Sequence, residues 1–177
     1  RLRQFNQLGA ELIGIDNCFG DVEVINLAYN FLKNLNLTKN ITLYVNSLGD
    51  ESSRKNFRSA LVLYLEKYEN NLSSDSRIRL KKNPLRILDS KNEKDQILLK
   101  NAPKYYDYLN KDSKLYFENV CKYLEKLGIP FKKDEKLVRG LVYYSHTTFE
   151  FKTNLLGSQD TVLAGGRYDG LSKMISN

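Results

Sequence analysis

Three features of this sequence predict an α+β fold, an antiparallel sheet with flanking helices and a helical insertion. Apolar and polar residues alternate at the start of the chain and again after Lys136, which is the period of a strand. Between about residues 51 and 130 the apolar residues recur three and four apart, the period of a helix. Charge follows the same division. Residues 1–50 hold 4 Lys/Arg against 5 Asp/Glu, residues 51–136 hold 20 against 13, and residues 137–177 hold 4 against 3. The chain therefore divides into 1–50, 51–130 and 131–177, with strands of one core on either side of a basic helical insert.

Taken in order, Arg1, Arg3, Phe5, Gln7, Gly9, Glu11 and Ile13 share one face of an extended strand, and Leu2, Leu8, Ala10 and Leu12 share the other. Asp21 is placed to cap a helix whose stripe is Val24, Leu27, Ala28, Phe31, Leu32 and Leu35. ITLYVNSLG (41–49) reads as a strand closed by a Gly-Asp turn. From Glu51 a helix lines up Phe57, Ala60, Leu61, Tyr64, Leu65 and Tyr68. A loop with Pro84, LRILD, a short helix near 93–101 and Pro103 follow. A last helix of 111–127 is expected to bury Leu115, Tyr116, Val120, Leu124 and Leu127, and Gly128 with Pro130 ends it. LVRGLVYYSHTTFEFKT (137–153) then pairs with TVLAGG across LLGSQD as a hairpin.

The 177 residues suffice for one sizeable domain, and 41% hydrophobic content excludes a mainly disordered chain. No apolar run approaches the roughly 18 residues that span a bilayer, so no membrane partner is expected. No N-terminal signal pattern is seen. The chain opens on Arg1 in mid-strand and stops just after a turn, so a piece of something longer is expected. Cys18 and Cys121 lack metal-ligand spacing and read as buried or partly exposed thiols of a reduced, cytosolic protein. A basic middle between nearly neutral flanks suits a polyanion, RNA first among them. A solvated Lys-rich surface is the alternative on charge alone.

Several residues could carry chemistry. Arg139 lies among Leu137, Val138, Leu141 and Val142, and a guanidinium cannot discharge, so burial there demands an anion. Gly140 beside it suits close approach of a backbone or ligand. Gln7 and Glu11 stand on one face roughly 13 Å apart, with Gly9 as a bare floor between them. Phe5 adds a stacking surface, and Arg1 and Arg3 suit phosphate. A solvent-exposed sheet face is the alternative for that strand. In AGGRYDGL (164–171) the paired glycines allow close approach, and Arg167, Tyr168 and Asp169 cluster beside them. The spacing is not that of a dinucleotide fingerprint, and plain core packing is open for Tyr168. His146 stands alone and reads as an ordinary strand histidine, so no metal site is expected.

Together these stretches resemble the histidyl-tRNA synthetase family of class II aminoacyl-tRNA synthetases, bacterial type. RLRQFNQLGAELIG resembles the second half of motif 2. LVRGLVYYSHTTFE and AGGRYDGL resemble the two histidine-specific motifs, and NPLRILDSKN and NLLGSQDTVLAGGRYDGL are similar to bacterial members in order and spacing. The resemblance covers essentially the whole chain, as an internal catalytic-domain fragment. It implies a class II catalytic sheet, a homodimer, a cytoplasmic enzyme of protein biosynthesis, and an insertion at 51–130 near the tRNA acceptor stem. It also implies ATP-dependent activation of L-histidine and transfer to tRNA(His), with ATP and Mg²⁺ as substrate and ion and no organic cofactor. By matching positions, Arg1 and Phe5 meet ATP's phosphates and adenine, and Gln7 holds the α-amino end. Glu11, Tyr144 and Tyr168 recognise the imidazole, Tyr143 lines the pocket, and Arg139 bridges the histidine carboxylate and the α-phosphate as the catalytic residue.

Val142 departs from the family's usual residue, an aspartate. Motif 1, the first arginine of motif 2, motif 3 and the anticodon-binding domain are absent, so these 177 residues alone are expected to be inactive. The alternative is a non-catalytic, synthetase-like regulatory subunit of histidine biosynthesis, which the retained Arg139 and basic insert disfavour. A stand-alone RNA-binding module accounts for the charge and leaves Gln7, Glu11 and the tyrosines unexplained.

Overall fold

The computed structural model describes residues 3–138, 143–157 and 160–176, with the side chain of residue 173 left aside. Helix α1 (Cys18–Asn34) leads into strand β1 (Ile41–Ser47). Helices α2 (Glu51–Glu66), α3 (Ser74–Lys82), α4 (Glu93–Leu99) and α5 (Lys111–Lys126) follow. Strands β2 (Phe131–Lys133), β3 (Ser145–Thr153) and β4 (Thr161–Arg167) and the short helix α6 (Leu171–Ile175) complete the chain.

The sheet runs β2-β1-β3-β4. β1 and β3 are antiparallel from Ile41↔Thr153 to Ser47↔Thr147, and β3 and β4 are antiparallel from Ser145↔Arg167 to Lys152↔Thr161. Only the short edge strand β2 is parallel to β1. This bears out the α+β reading with its mainly antiparallel sheet.

Two apolar clusters form beneath these elements. In the first, Leu43 and Val45 of β1 and Phe149 and Phe151 of β3 meet Ile25 and Leu32 of α1 and Val120 and Leu124 of α5. Alternation along the strands turns these side chains to one face, where the two helices cover them. In the second, Phe57, Leu61 and Leu65 of α2 pack with Leu72, Leu80, Ile87, Leu99, Tyr105 and Leu109. Residues 51–130 thus supply helices to both: α2, α3 and α4 to the second cluster, α5 to the first.

Several expectations need correction. Residues 3–13 form no strand and are exposed, since no described strand pairs with them and an extended segment without a ladder has unmet backbone groups. Asn17, not Asp21, caps α1, its Oδ1 accepting from the Phe19 amide at 3.0 Å. The buried face of α1 is Cys18, Val22, Ile25, Ala28 and Leu32, while Leu27, Phe31 and Leu35 are exposed. In α5 the face is likewise rotated: Phe117 and Cys121 are buried, and Leu115 and Leu127 are exposed. Helix α3 was not anticipated, because its nine residues bury only Ser76 and Leu80 and carry no apolar stripe. Strand β3 begins at Ser145, and Leu137 and Val138 are buried without strand pairing.

Candidate active site

The β3–β4 register builds this site. Ser145 opens β3 opposite Arg167, which closes β4. The residues just before one strand and just after the other therefore meet at the same end of the sheet. These residues are Tyr143, Tyr144 and Tyr168. Their ring centroids lie 4.9 Å (143–144), 6.3 Å (143–168) and 6.5 Å (144–168) apart, the last two pairs edge to face. A Cβ on Gly166 would stand 3.0 Å from the Thr147 carbonyl and 3.1 Å from the Tyr144 ring, so glycine is what allows that ring to lie on β4.

The Glu11 carboxylate lies close enough to the Tyr168 hydroxyl to act on its ionisation. Partial burial and then this neighbouring carboxylate push the Tyr168 phenol up to about 12, so it stays a protonated donor at neutral pH. Glu11 itself is on the exposed segment, which leaves carboxylate capacity for an incoming N–H donor. From α2, Arg54 donates to the Tyr144 carbonyl and so ties the second cluster's first helix to the aromatic site.

A polar layer lies next to the tyrosines. Arg167 Nε donates to both Asp169 oxygens at 2.8 Å. Its Nη1 donates to Asp21 Oδ1 at 3.1 Å and to the Tyr116 hydroxyl at 2.9 Å, and its Nη2 donates to the Ile15 carbonyl at 2.8 Å. Burial pushes the Asp21 carboxyl up despite the opposing Arg167 charge. For Asp169 burial acts upward too, but the bonds from Arg167 and Ser145 outweigh it and hold the carboxyl low. His146 stacks on Tyr116 with centroids 4.6 Å apart. Burial lowers its pKa, so the imidazole is neutral at pH 7. It is less ordinary than a plain strand histidine, with φ at +44° where the β3–β4 register shifts. Its backbone is held there by Gly49 O and Leu48 N.

The sequence-predicted residues fare unevenly. Glu11, Tyr143, Tyr144 and Tyr168 come together. Phe5 and Gln7 lie on the exposed leading segment, Phe5 at 77% exposure. Arg1, Arg139 and Val142 lie outside the described residues. Among the described residues no three His, Cys, Asp or Glu side chains converge to hold a metal ion. No described helix is long and apolar enough to cross a membrane. The Asp21–Arg167–Tyr116 network escaped the sequence reading, since only Arg167 and Asp169 stand in a conspicuous motif.

Comparison with known proteins decides the family. The profile described as histidyl-tRNA synthetase matches residues 1–177. The chain belongs to the histidyl-tRNA synthetase family. Among its relatives, the histidine–tRNA ligase of Rickettsia bellii is 50% identical over 177 residues, 100% of this chain and 43% of that protein. That of Rhodospirillum rubrum is 53% identical over 175 residues, 99% of this chain and 42% of that protein. This member of the histidyl-tRNA synthetase family thus spans less than half the length of those ligases. Apo histidyl-tRNA synthetase of S. aureus superposes with a TM-score of 0.71 at 37% identity, over 93% of this chain and 40% of that one. An ATP phosphoribosyltransferase regulatory subunit/histidyl-tRNA synthetase from Bacillus halodurans shares the fold, with TM-score 0.57 at 22% identity, over 94% of this chain and 47% of that one.

Proposed function

We propose that this chain carries the amino-acid side of the active site of a histidine–tRNA ligase. The whole enzyme activates L-histidine with ATP and passes it to tRNA(His). The observation that carries the reading is the three-tyrosine cluster at the shared end of β3 and β4, with the Glu11 carboxylate beside the Tyr168 hydroxyl. An imidazole is flat, apolar on its faces and polar at two nitrogens, and the cluster offers aromatic edges with one fixed acceptor. A bound side chain without an N–H would cover Glu11 and offer its remaining carboxylate oxygen no donor, which is the basis of rejection.

In this reading Tyr143 and Tyr144 flank the imidazole, and Gln7 holds the α-amino end. Phe5 stacks on adenine, and Arg1 meets the phosphates. Arg139 bridges the histidine carboxylate and the α-phosphate. A carboxylate oxygen attacks the α-phosphorus, the bond to the bridging oxygen breaks, and pyrophosphate leaves; the ionised carboxylate needs no base. Negative charge gathers on phosphate oxygens, where a fixed guanidinium stabilises it. A ribose hydroxyl of tRNA(His) then attacks the carbonyl of the adenylate, and AMP leaves. Among the described residues no three His, Cys, Asp or Glu side chains converge on an ion, so Mg²⁺ would enter bound to the phosphates of ATP and add positive charge there. A homodimer in the cytoplasm and a basic insert facing tRNA complete the proposal.

The test is histidine-dependent ATP–pyrophosphate exchange on the full-length parent. Arg139→Ala is expected to lower kcat by about 10²–10³-fold, and the isolated 177-residue chain to show no exchange. Exchange that is missing in the parent points instead to a regulatory subunit. Exchange that survives Arg139→Ala unchanged removes that residue's role.

A further inference from the structure

We propose that Arg167 is a positioning residue for amino-acid recognition: it clamps the segment carrying Glu11 against the strand end carrying Tyr168. The recognition part rests on the imidazole reading above; the clamp itself rests on geometry alone.

Residues 3–17 form no regular structure and are exposed throughout, so few contacts hold them. The Glu11 carboxylate lies beside the Tyr168 hydroxyl. Four residues later, the Ile15 carbonyl accepts from Arg167 Nη2 at 2.8 Å, and the Asn17 carbonyl accepts from Nη1 at 3.4 Å. The Ile15 side chain also sits where Gly20 has no Cβ; one built there would be 3.0 Å from Ile15 Cγ2. Glu11 is thus placed by a short tether whose far end is fastened to one guanidinium.

That guanidinium is aimed from three sides. Asp169 grips Nε, while Asp21 and the Tyr116 hydroxyl accept from Nη1. Its side chain is only 11% exposed. A planar fork with rigid N–H directions, held at Nε and Nη1, has its Nη2 arm fixed in direction. The arm meets Ile15. Tyr168 is the next residue in the chain, so both partners of the recognition pair depend on Arg167, one through the main chain and one through the clamp. The mundane alternative is that Arg167 only pins α1 to the sheet through Asp21. Lysine separates the two roles, because it keeps a charge beside Asp21 and loses the fork.

The test compares Arg167→Lys with wild type in the full-length protein. The histidine KM is expected to rise about tenfold or more, with the ATP KM within about twofold and the melting temperature close to wild type. Limited proteolysis within residues 8–16 is expected to quicken about tenfold, with β1 as resistant as in wild type. Unaltered cleavage there overturns the clamp. A fall in kcat with both KM values unchanged supports the purely structural role and also overturns the proposal. If the lysine variant does not fold, Tyr116→Phe removes one of the aiming contacts and should move the same two readouts in the same direction by less; no movement in either overturns the clamp. Glu11→Gln separates the two layers. A histidine KM that it leaves untouched sinks the imidazole reading, while proteolysis of residues 8–16 still reports on Arg167.

Discussion

One methyl group at Gly166 or Gly165 has opposite destinations. On Gly165 a Cβ would stand 2.5 Å from the tip of the Phe149 ring, and Phe149 is 4% exposed within the first core. Gly165→Ala is therefore expected to lower stability by about 1–3 kcal/mol, read from the urea midpoint. On Gly166 the near neighbours are the Thr147 carbonyl at 3.0 Å and the Tyr144 ring at 3.1 Å. That ring is only half-buried and can yield, so Gly166→Ala should cost less stability and weaken histidine binding by about tenfold or more. Equal losses in both assays would place Gly166 in the core instead of the site. The paired glycines were legible in AGGRYDGL as a place of close approach. What approaches was not, because Phe149 and Tyr144 arrive from the antiparallel neighbour and a sequence does not state register. Arg167 illustrates the same limit. Its partner Asp21 lies 146 residues away, and an ion pair across such a distance leaves no periodic trace.

At the scale of elements, periodicity reports which side chains share a face and is silent about what lies opposite. Residues 1–13 alternate well, yet an alternating segment becomes a strand only beside a ladder partner, and the described strands give it none. Helix α3 shows the converse. It forms because Ser73 caps it and Asp95 anchors its start, not because of an apolar stripe. Asp95 is fully buried and accepts from the Ser73 amide and hydroxyl at 2.9 and 2.7 Å. It also accepts from Ser76 and Ser90 at 2.6 Å each. Burial pushes its carboxyl up, but these bonds outweigh it and hold the group below its ordinary 3.8. A depressed carboxyl stabilises the fold above its unfolded value, and that stability is lost as pH falls through the folded value. Asp95→Ala is expected to cost about 2–4 kcal/mol at pH 7, measured by urea unfolding. The difference from wild type should be constant above about pH 5 and shrink below about pH 4. A difference that is flat down to pH 2 would falsify the charged-acceptor account.

Across the whole molecule, two cores meet at one seam. Gly49, at φ +60°, sits where a Cβ would fall 2.6 Å from Leu109, and its carbonyl accepts from His146 N. Arg54 crosses the same seam to the Tyr144 carbonyl. The second core is thus keyed to the tyrosine cluster, and it also bears the excess positive charge. That segregation was legible from counts along the chain; that α5 would pack with α1 was not, since a helical period does not say which sheet a helix covers. The charge makes the last prediction. Arg77, Lys81 and Lys82 are exposed on or at the end of α3, with Arg86 exposed just beyond. If this face meets the phosphates of tRNA(His), as proposed, each contact releases counterions and adds about 0.9 to the slope of log affinity against log salt on a duplex. Replacing Arg77, Lys81 and Lys82 together by Gln should flatten that slope by about 2–3 and raise the tRNA KM in aminoacylation. Histidine-dependent pyrophosphate exchange should be unchanged, because it needs no tRNA. A loss of both reactions together would mean that these charges serve the fold. Unchanged affinity and slope would place the tRNA on another face, and the basic helix would then be a solvated surface.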